Sequence, residues 1–99
     1  MYYTKGVFMD VDWSYRGGYV ALKHGVRPQE ANEALRDPER LVIAPDPASR
    51  SGRSVRVIGW SHTHGGVLTV IVVKDEGVEY GVNAWLSSPT DQRRYFEEE

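Results

Sequence analysis

The sequence predicts an α+β fold in which two helices precede a four-stranded, mainly antiparallel sheet and a third helix closes the chain. Three observations support this order. Helix-type apolar spacing is confined to the first part of the chain, alternating apolar residues fill the middle, and a helix-start signal, Ser88-Pro89-Thr90-Asp91, stands near the end. A chain of 99 residues fits one domain with one modest core, so we expect a single domain over residues 1–99.

The two N-terminal helices are predicted from apolar spacing and from their end signals. The first covers residues 13–24, although Gly17-Gly18 weakens it, and Gly25 suits a C-terminal cap. The second begins at Pro28, which is favoured in a first turn, and stops at Asp37-Pro38. A short strand is also predicted near the N-terminus, around Val7-Phe8-Met9.

Period-two alternation then predicts the sheet. The predicted strands are 41–43, 55–61, 67–74 and 78–85. Strand 67–74 is the most apolar, so we expect it to be central. Asp75-Glu76-Gly77 suits a hairpin turn, and the segment 46–52 is a loop dense in Pro, Ser and Gly. The last helix carries residues 92–95.

Composition excludes several classes of function. The net charge of -2 means that any binding of nucleic acid must come from a local patch, not from the whole protein. The absence of cysteine excludes disulfides, thiolate nucleophiles and cysteine metal sites. The longest apolar run, Val70-Ile71-Val72-Val73, is far too short to span a bilayer, and the N-terminus lacks a signal core. We therefore expect a cytoplasmic protein with no membrane partner.

An arginine-rich stretch interrupts this acidic chain. Arg50, Arg53 and Arg56 fall within seven residues with no acid between them, where the loop runs into a predicted strand. Guanidinium groups can hold phosphates through paired hydrogen bonds without a metal, so RNA is a candidate partner. The alternative is a solvated loop whose arginines pair with nearby carboxylates.

An ordered series of short segments carries a family resemblance. The segments are Lys23-His24-Gly25-Val26, Glu30-Ala31, Asp37-Pro38, Asp46-Pro47, Arg56-Val57-Ile58-Gly59, Leu68-Thr69-Val70-Ile71 and Arg93-Arg94-Tyr95. Together they cover most of the chain and resemble the BrnT family of bacterial toxins. The resemblance implies a single RelE-like toxin domain, cofactor-free RNA cleavage that halts translation, and a BrnA-like antitoxin as partner. It also implies that DNA is contacted only indirectly, through the DNA-binding part of that antitoxin.

The chain departs from the family pattern in two places. Many BrnT-like toxins carry an Arg-Arg pair late in the last strand, where this sequence has Trp85-Leu86. The usual strand arginine falls on Ser54, but Arg56 lies two residues later and therefore on the same sheet face. Two hypotheses stay open. The chain is a metal-independent endoribonuclease toxin neutralised by an antitoxin, or it is a non-catalytic RelE-like scaffold that pairs with a DNA-binding antitoxin or regulator.

Metal-free RNA cleavage needs a base for the 2′-hydroxyl, a cation for the phosphate and an acid for the leaving 5′-oxygen. We take Arg56 as the phosphate ligand, with Arg53 and Arg50 guiding the RNA backbone electrostatically, and Tyr95, His24 or His62 as candidates for proton transfer. For His24 the alternative is a capping role at a helix end. The candidate RNA-binding residues are Arg50, Lys74, Asn83, Trp85 and Arg93.

Two further expectations concern the predicted strands. Arg56 alternates with Val55 and Val57, so its side chain should leave the core face, and Arg56→Ala should leave the fold intact. His62-Thr63-His64 has strand-type metal-ligand spacing, but it abuts a predicted turn and has no acidic neighbour. Two imidazoles alone do not make a metal site, so we expect none.

Overall fold

The computed structural model describes the backbone of Tyr2–Thr4 and residues 11–97, and within them an α+β fold with two helices, a sheet and a closing helix. The sheet is antiparallel, and its strands lie in chain order from β1 to β5. The elements are β1 (Tyr2–Thr4), α1 (Gly17–His24), α2 (Pro28–Arg36), β2 (Leu41–Ala44), β3 (Ser54–Ser61), β4 (Gly66–Asp75), β5 (Val78–Leu86) and α3 (Pro89–Glu97). The predicted fold class is therefore confirmed.

The N-terminal part of the sheet differs from the expectation. The four predicted strands are present as β2 to β5, and β1 adds a fifth strand that pairs with β2. The strand expected around Val7-Phe8-Met9 lies outside the described residues. No helix in the described part of the chain is long and apolar enough to span a membrane.

Strict alternation gives the sheet two different faces. Val57 pairs with Val42 and Val70, and all three point towards α1 and α2, where the larger core lies. Residues one step along each strand point the other way, so Ile58 lies on the opposite face. There Ile43, Ile58 and Val67 form a smaller buried cluster against Tyr95 of α3. The described helices therefore cover the sheet from both sides.

The first helix is shorter than predicted. Residues 14–16 form a turn, and α1 begins at Gly17 instead of residue 13. Asp12 organises this turn, because its carboxylate accepts hydrogen bonds from the amide of Ser14 at 2.7 Å and from its hydroxyl at 2.6 Å. Trp13 is buried, and its indole N–H donates to Asn32 of α2 at 2.9 Å. The two glycines consequently begin the helix and do not interrupt it.

The free edge of β5 meets the segment that precedes α1. Asp12 forms a parallel bridge with Tyr80: its amide donates to the carbonyl of Glu79 at 2.8 Å, and its carbonyl accepts from Gly81 at 2.9 Å. Arg16 continues this edge contact through Nε, which donates to the carbonyl of Val82 at 3.1 Å. These bonds fix the start of α1 beside β5.

The packing of α2 on β3 depends on a glycine. A Cβ atom at Gly59 would lie 2.2 Å from the carbonyl oxygen of Ala34, far inside van der Waals contact. That oxygen belongs to the helix backbone and cannot move aside without shifting α2. The close approach of helix and strand therefore requires glycine at position 59.

Gly59→Ala is expected to lower the free energy of unfolding by about 1–3 kcal/mol, because overpacking forces the helix away from the sheet. Gly18→Ala is the matched control, since a Cβ there meets nothing within 4 Å. It should leave stability unchanged or raise it by about 0.5–1 kcal/mol. Chemical denaturation measures both, and equal stability of the two variants would contradict the packing argument.

Acidic residues of α2 hold the turn between β3 and β4. The carboxylate of Glu33 accepts hydrogen bonds from the hydroxyl of Thr63 at 2.6 Å, its amide at 2.8 Å and the hydroxyl of Ser61 at 2.8 Å. These donors, with the Thr63 hydroxyl as the largest cause, lower the pKa of Glu33 to about 2. The turn is thus fixed to α2 while Glu33 is ionised.

Glu33 should make the protein less stable in acid. Its pKa is lower in the folded chain (about 2) than its ordinary value of 4.5, so its stabilising effect is complete above pH 4.5 and is lost as the pH falls towards 2. Denaturation midpoints measured across this window should fall less steeply for Glu33→Gln than for the unmodified protein. Parallel pH profiles would show that Glu33 makes no such contribution.

Candidate functional site

Arg56 stands in the middle of β3 on the face opposite Val55 and Val57, as the alternation predicts. Its side chain is only 15% exposed and is held by two carboxylates. Nε donates to Asp46 Oδ1 at 2.8 Å, and Nη1 donates to Asp91 Oδ2 at 2.9 Å. Such charge-assisted hydrogen bonds are the stronger ones in proteins, so the guanidinium is fixed in position.

Asp91 is the most buried member of this group, with a side chain 2% exposed. It lies in the first turn of α3, where its backbone N–H donates a hydrogen bond to Ser88 Oγ at 3.2 Å. The positive end of the helix dipole also favours a carboxylate at this position. Besides Arg56, it accepts a hydrogen bond from Thr69 Oγ1 at 2.9 Å and pairs with Arg94 at 3.4 Å. Both carboxylate oxygens of this buried acid therefore meet a donor.

The Arg56 network, which we define as Arg56, Asp46, Asp91 and Arg94, has formal charges that cancel. It joins the 45–53 loop through Asp46, the sheet through Arg56 and the final helix through Asp91. Arg56 therefore fits the alternative to RNA binding given in the sequence analysis, in which the arginines pair with nearby carboxylates. The expectation that Arg56→Ala leaves the fold intact does not fit this structure, because the substitution would leave two buried acids without their shared cation.

Trp85 lies next to Arg56 on the same face, and His24, at the end of α1, lies next to Trp85. The Trp85 ring centre is 5.9 Å from the Arg56 guanidinium carbon, within cation–π range, and the His24 ring centre is 6.2 Å from the Trp85 ring centre. Asn83 pairs with Ile71, which also pairs with Arg56, so all three share one row across the sheet. We call Arg56, Trp85 and His24 the Arg–Trp–His row.

The other predicted cations lie apart from this row. Arg53 is exposed at the start of β3 and pairs with Asp75 at 3.0 Å, while Arg50 is exposed in the 45–53 loop. Lys74 is exposed and, by alternation with Val70 and Val72, belongs to the side of the sheet that α1 and α2 cover. Arg93 is exposed on α3. The structure therefore does not gather these four residues around Arg56.

Tyr95 makes its contacts away from the Arg–Trp–His row. Its hydroxyl donates to Asp37 Oδ2 at 2.5 Å, and its ring packs against the cluster containing Ile58. Burial and the hydrogen bond to Asp37 raise the pKa of Tyr95. A raised pKa makes the hydroxyl a poor proton donor near neutrality, so the geometry supports a structural role that joins α3 to the end of α2.

The two histidines of the β3–β4 turn do not converge. His62 is exposed, whereas the Nδ1 atom of His64 faces Glu30 at 3.4 Å. Both belong to a turn instead of a strand, so the alternate spacing does not place the rings together. Among residues the structure describes, no group of three or more potential metal ligands occurs.

Sequence reasoning missed the residues that hold Arg56. Asp46 begins the predicted 46–52 loop and Asp91 belongs to the helix-start signal, and neither pattern predicts a contact with Arg56. Thr69 lies buried within an apolar strand, where its hydroxyl also shares a 2.7 Å hydrogen bond with Ser87. A polar residue inside the apolar strand is the one signal that could have suggested a buried polar network.

No protein-family model matches this chain, and no curated protein matches it either. The resemblance to BrnT-like toxins therefore stays a prediction that rests on the sequence segments given above.

Arg56→Ala is expected to destabilise the fold by about 3–5 kcal/mol, because it leaves buried Asp46 and Asp91 without their cation. Arg53→Ala is the matched control. Its ion pair with Asp75 is more than half exposed on both sides, and exposed pairs contribute about 1 kcal/mol or less. Denaturation of both variants by urea tests the contrast, and a fully stable Arg56→Ala protein would show that the network is not structural.

Proposed function

We propose that this protein is the toxin-type half of a toxin–antitoxin pair and that the Arg–Trp–His row binds RNA. One observation carries the proposal: the Trp85 ring centre lies 5.9 Å from the Arg56 guanidinium carbon and 6.2 Å from the His24 ring centre, so a cation, an indole ring and an imidazole form a continuous row. These groups offer RNA a phosphate ligand, a ring that can stack on a base and a side chain that can accept a proton. The BrnT-like segments of the sequence support the same function.

The proposed chemistry assigns one role to each member. Arg56 has two nitrogens committed to Asp46 and Asp91, which orient Nη2 as the remaining donor for a phosphate oxygen. Trp85 offers its ring to a base, and stacking of this kind contributes about 1–3 kcal/mol per base. His24 takes the 2′-hydroxyl proton while the 2′-oxygen bonds to phosphorus, the bond from phosphorus to the 5′-oxygen breaks, and the leaving 5′-oxygen takes a proton from solvent water. No metal enters this scheme.

The second candidate is a scaffold that binds a DNA-binding antitoxin or regulator without cutting RNA. The compensated charge of the Arg56 network favours it, because a cation neutralised by two buried carboxylates attracts a phosphate weakly. Trp85-Leu86, in place of the Arg pair common in BrnT-like toxins, favours it as well. Both candidates require a partner protein, and they differ in whether the free protein damages RNA.

Induced expression of the chain alone should arrest growth, and the purified protein should cleave single-stranded RNA in the presence of EDTA. His24→Ala should slow cleavage by about 10²–10⁴-fold, the usual contribution of a positioned acid or base. Arg36→Ala is the control, since Arg36 is exposed on α2 and lies outside the row. Its cleavage rate should match that of the unmodified protein.

Two outcomes would decide against RNA cleavage. Normal growth on expression, together with intact RNA after incubation with the folded protein, leaves the scaffold as the function. Cleavage that disappears in EDTA and returns with a divalent cation would contradict the metal-free scheme. Co-expression with the product of the neighbouring reading frame should yield a co-purifying complex under either candidate.

A further inference from the structure

Helix α1 runs alongside the edge strand β5, and three contacts fix this arrangement. Tyr15, just ahead of the helix, has its ring centre 5.8 Å from that of Tyr80. Arg16 bonds to the carbonyl of Val82 at 3.1 Å, and His24, at the other end of the helix, adjoins Trp85. Helix and strand therefore run in the same direction, with an aromatic pair at each end of their contact.

A surface groove lies at the Tyr15 end of this contact. Tyr15 and Tyr80 face each other there with their rings inclined by 60°. Arg16 and Arg53 also line the groove, and Val73 and Val82 contribute apolar surface. Asp75 is the one acidic residue among its lining residues in the described chain, and it pairs with Arg53.

The exposure of these side chains shows that the groove is accessible. Tyr15 is 79% exposed, so its ring is open to solvent and available to a ligand. The Arg53–Asp75 pair is more than half exposed at both partners, so Arg53 can exchange its carboxylate for a phosphate at little cost. Arg56, held by buried acids, cannot do so as readily.

We propose that this groove is a second base-binding subsite for single-stranded RNA, with Tyr15 and Tyr80 stacking on a base and Arg16 and Arg53 holding the adjoining phosphates. The inference rests on the proposed function and extends it along β5. Tyr80 and Trp85 are five residues apart on that strand, a span of roughly 16 Å at 3.3 Å per residue. A strand of RNA bound at both ends must run along the outer surface of the α1–β5 edge of the sheet.

The chemistry of the groove selects single strands. Exposed aromatic rings bind bases whose faces are free, and the bases of a duplex are stacked on one another and hidden from such rings. Arg16 is held in place for phosphate binding, because its guanidinium carbon lies 4.3 Å from the ring centre of Tyr19. Helix α1 also carries no acidic residue that would repel the RNA backbone.

The test measures binding of a fluorescently labelled, single-stranded 2′-O-methyl RNA of about ten nucleotides, a length within the usual range of single-strand sites. This probe lacks the 2′-hydroxyl and cannot be cleaved. Tyr15→Ala should weaken binding about 5- to 150-fold, whereas Tyr15→Phe should retain the affinity. Leu22→Ala is the control, since Leu22 is 89% exposed on the same helix but does not line the groove.

The arginines give an independent readout. Arg16→Ala should make the affinity less dependent on salt, lowering the slope of log affinity against log salt by about 0.7 for one lost phosphate contact. The unmodified protein should bind the single strand more tightly than a duplex of the same sequence. Circular dichroism should confirm that each variant is folded.

The outcomes separate this inference from the proposed function. If the unmodified protein binds the probe and Tyr15→Ala binds it equally well, the groove is not a base subsite, although RNA binding at the Arg–Trp–His row survives. If Tyr15→Ala instead loses only the co-purifying protein partner, the groove belongs to that partner. If the unmodified protein binds no single-stranded RNA, the proposed function fails and the subsite fails with it.

Discussion

The placement of one guanidinium between two buried carboxylates is the constraint on which the rest of this structure depends. Arg56 ties β3 to the 45–53 loop through Asp46 and to α3 through Asp91. Removing water from three charged groups is unfavourable unless each is fully hydrogen-bonded, and here Thr69 and Arg94 supply the remaining donors to Asp91. The described residues contain no buried side-chain nitrogen or oxygen without a partner. Helix, loop and sheet must therefore assemble together.

The same network determines how the candidate site can act. If Arg56 held the two carboxylates in place and also bound RNA, its charge would be shared between them and the phosphate. Arg56 has only one nitrogen outside the two ion pairs. Arg16 and Arg53, both exposed, lie at the other end of β5, beside Tyr15 and Tyr80. The sheet edge thus has a rigid, charge-balanced end near Trp85 and an accessible, positively charged end near Arg16.

Local patterns predicted most of the fold. Alternation located β2 to β5 and placed Arg56 on the face away from Val57, since strand periodicity depends only on neighbouring residues. The partners of Arg56 were not predictable in this way, because Asp46 and Asp91 lie ten and 35 residues away and meet it only after folding. The sequence predicts too early a start for α1, because Trp13 is an apolar residue at helical spacing. In the structure Trp13 is buried but lies just before the turn that precedes the helix. The closeness of His24 to Trp85 likewise depends on the direction in which α1 crosses the sheet.

The bridge between Asp12 and Tyr80 has a consequence for how other chains can approach. Edge strands invite the addition of a further strand, which leads to β-augmentation by a partner or to self-association. Along β5, the carbonyls of Glu79 and Val82 and the amide of Gly81 are already bonded to Asp12 and Arg16. An incoming strand would have to displace both residues before it could form its own hydrogen bonds there. A partner that binds this side of the molecule must therefore recognise side chains, and the sheet is protected against extension at this edge.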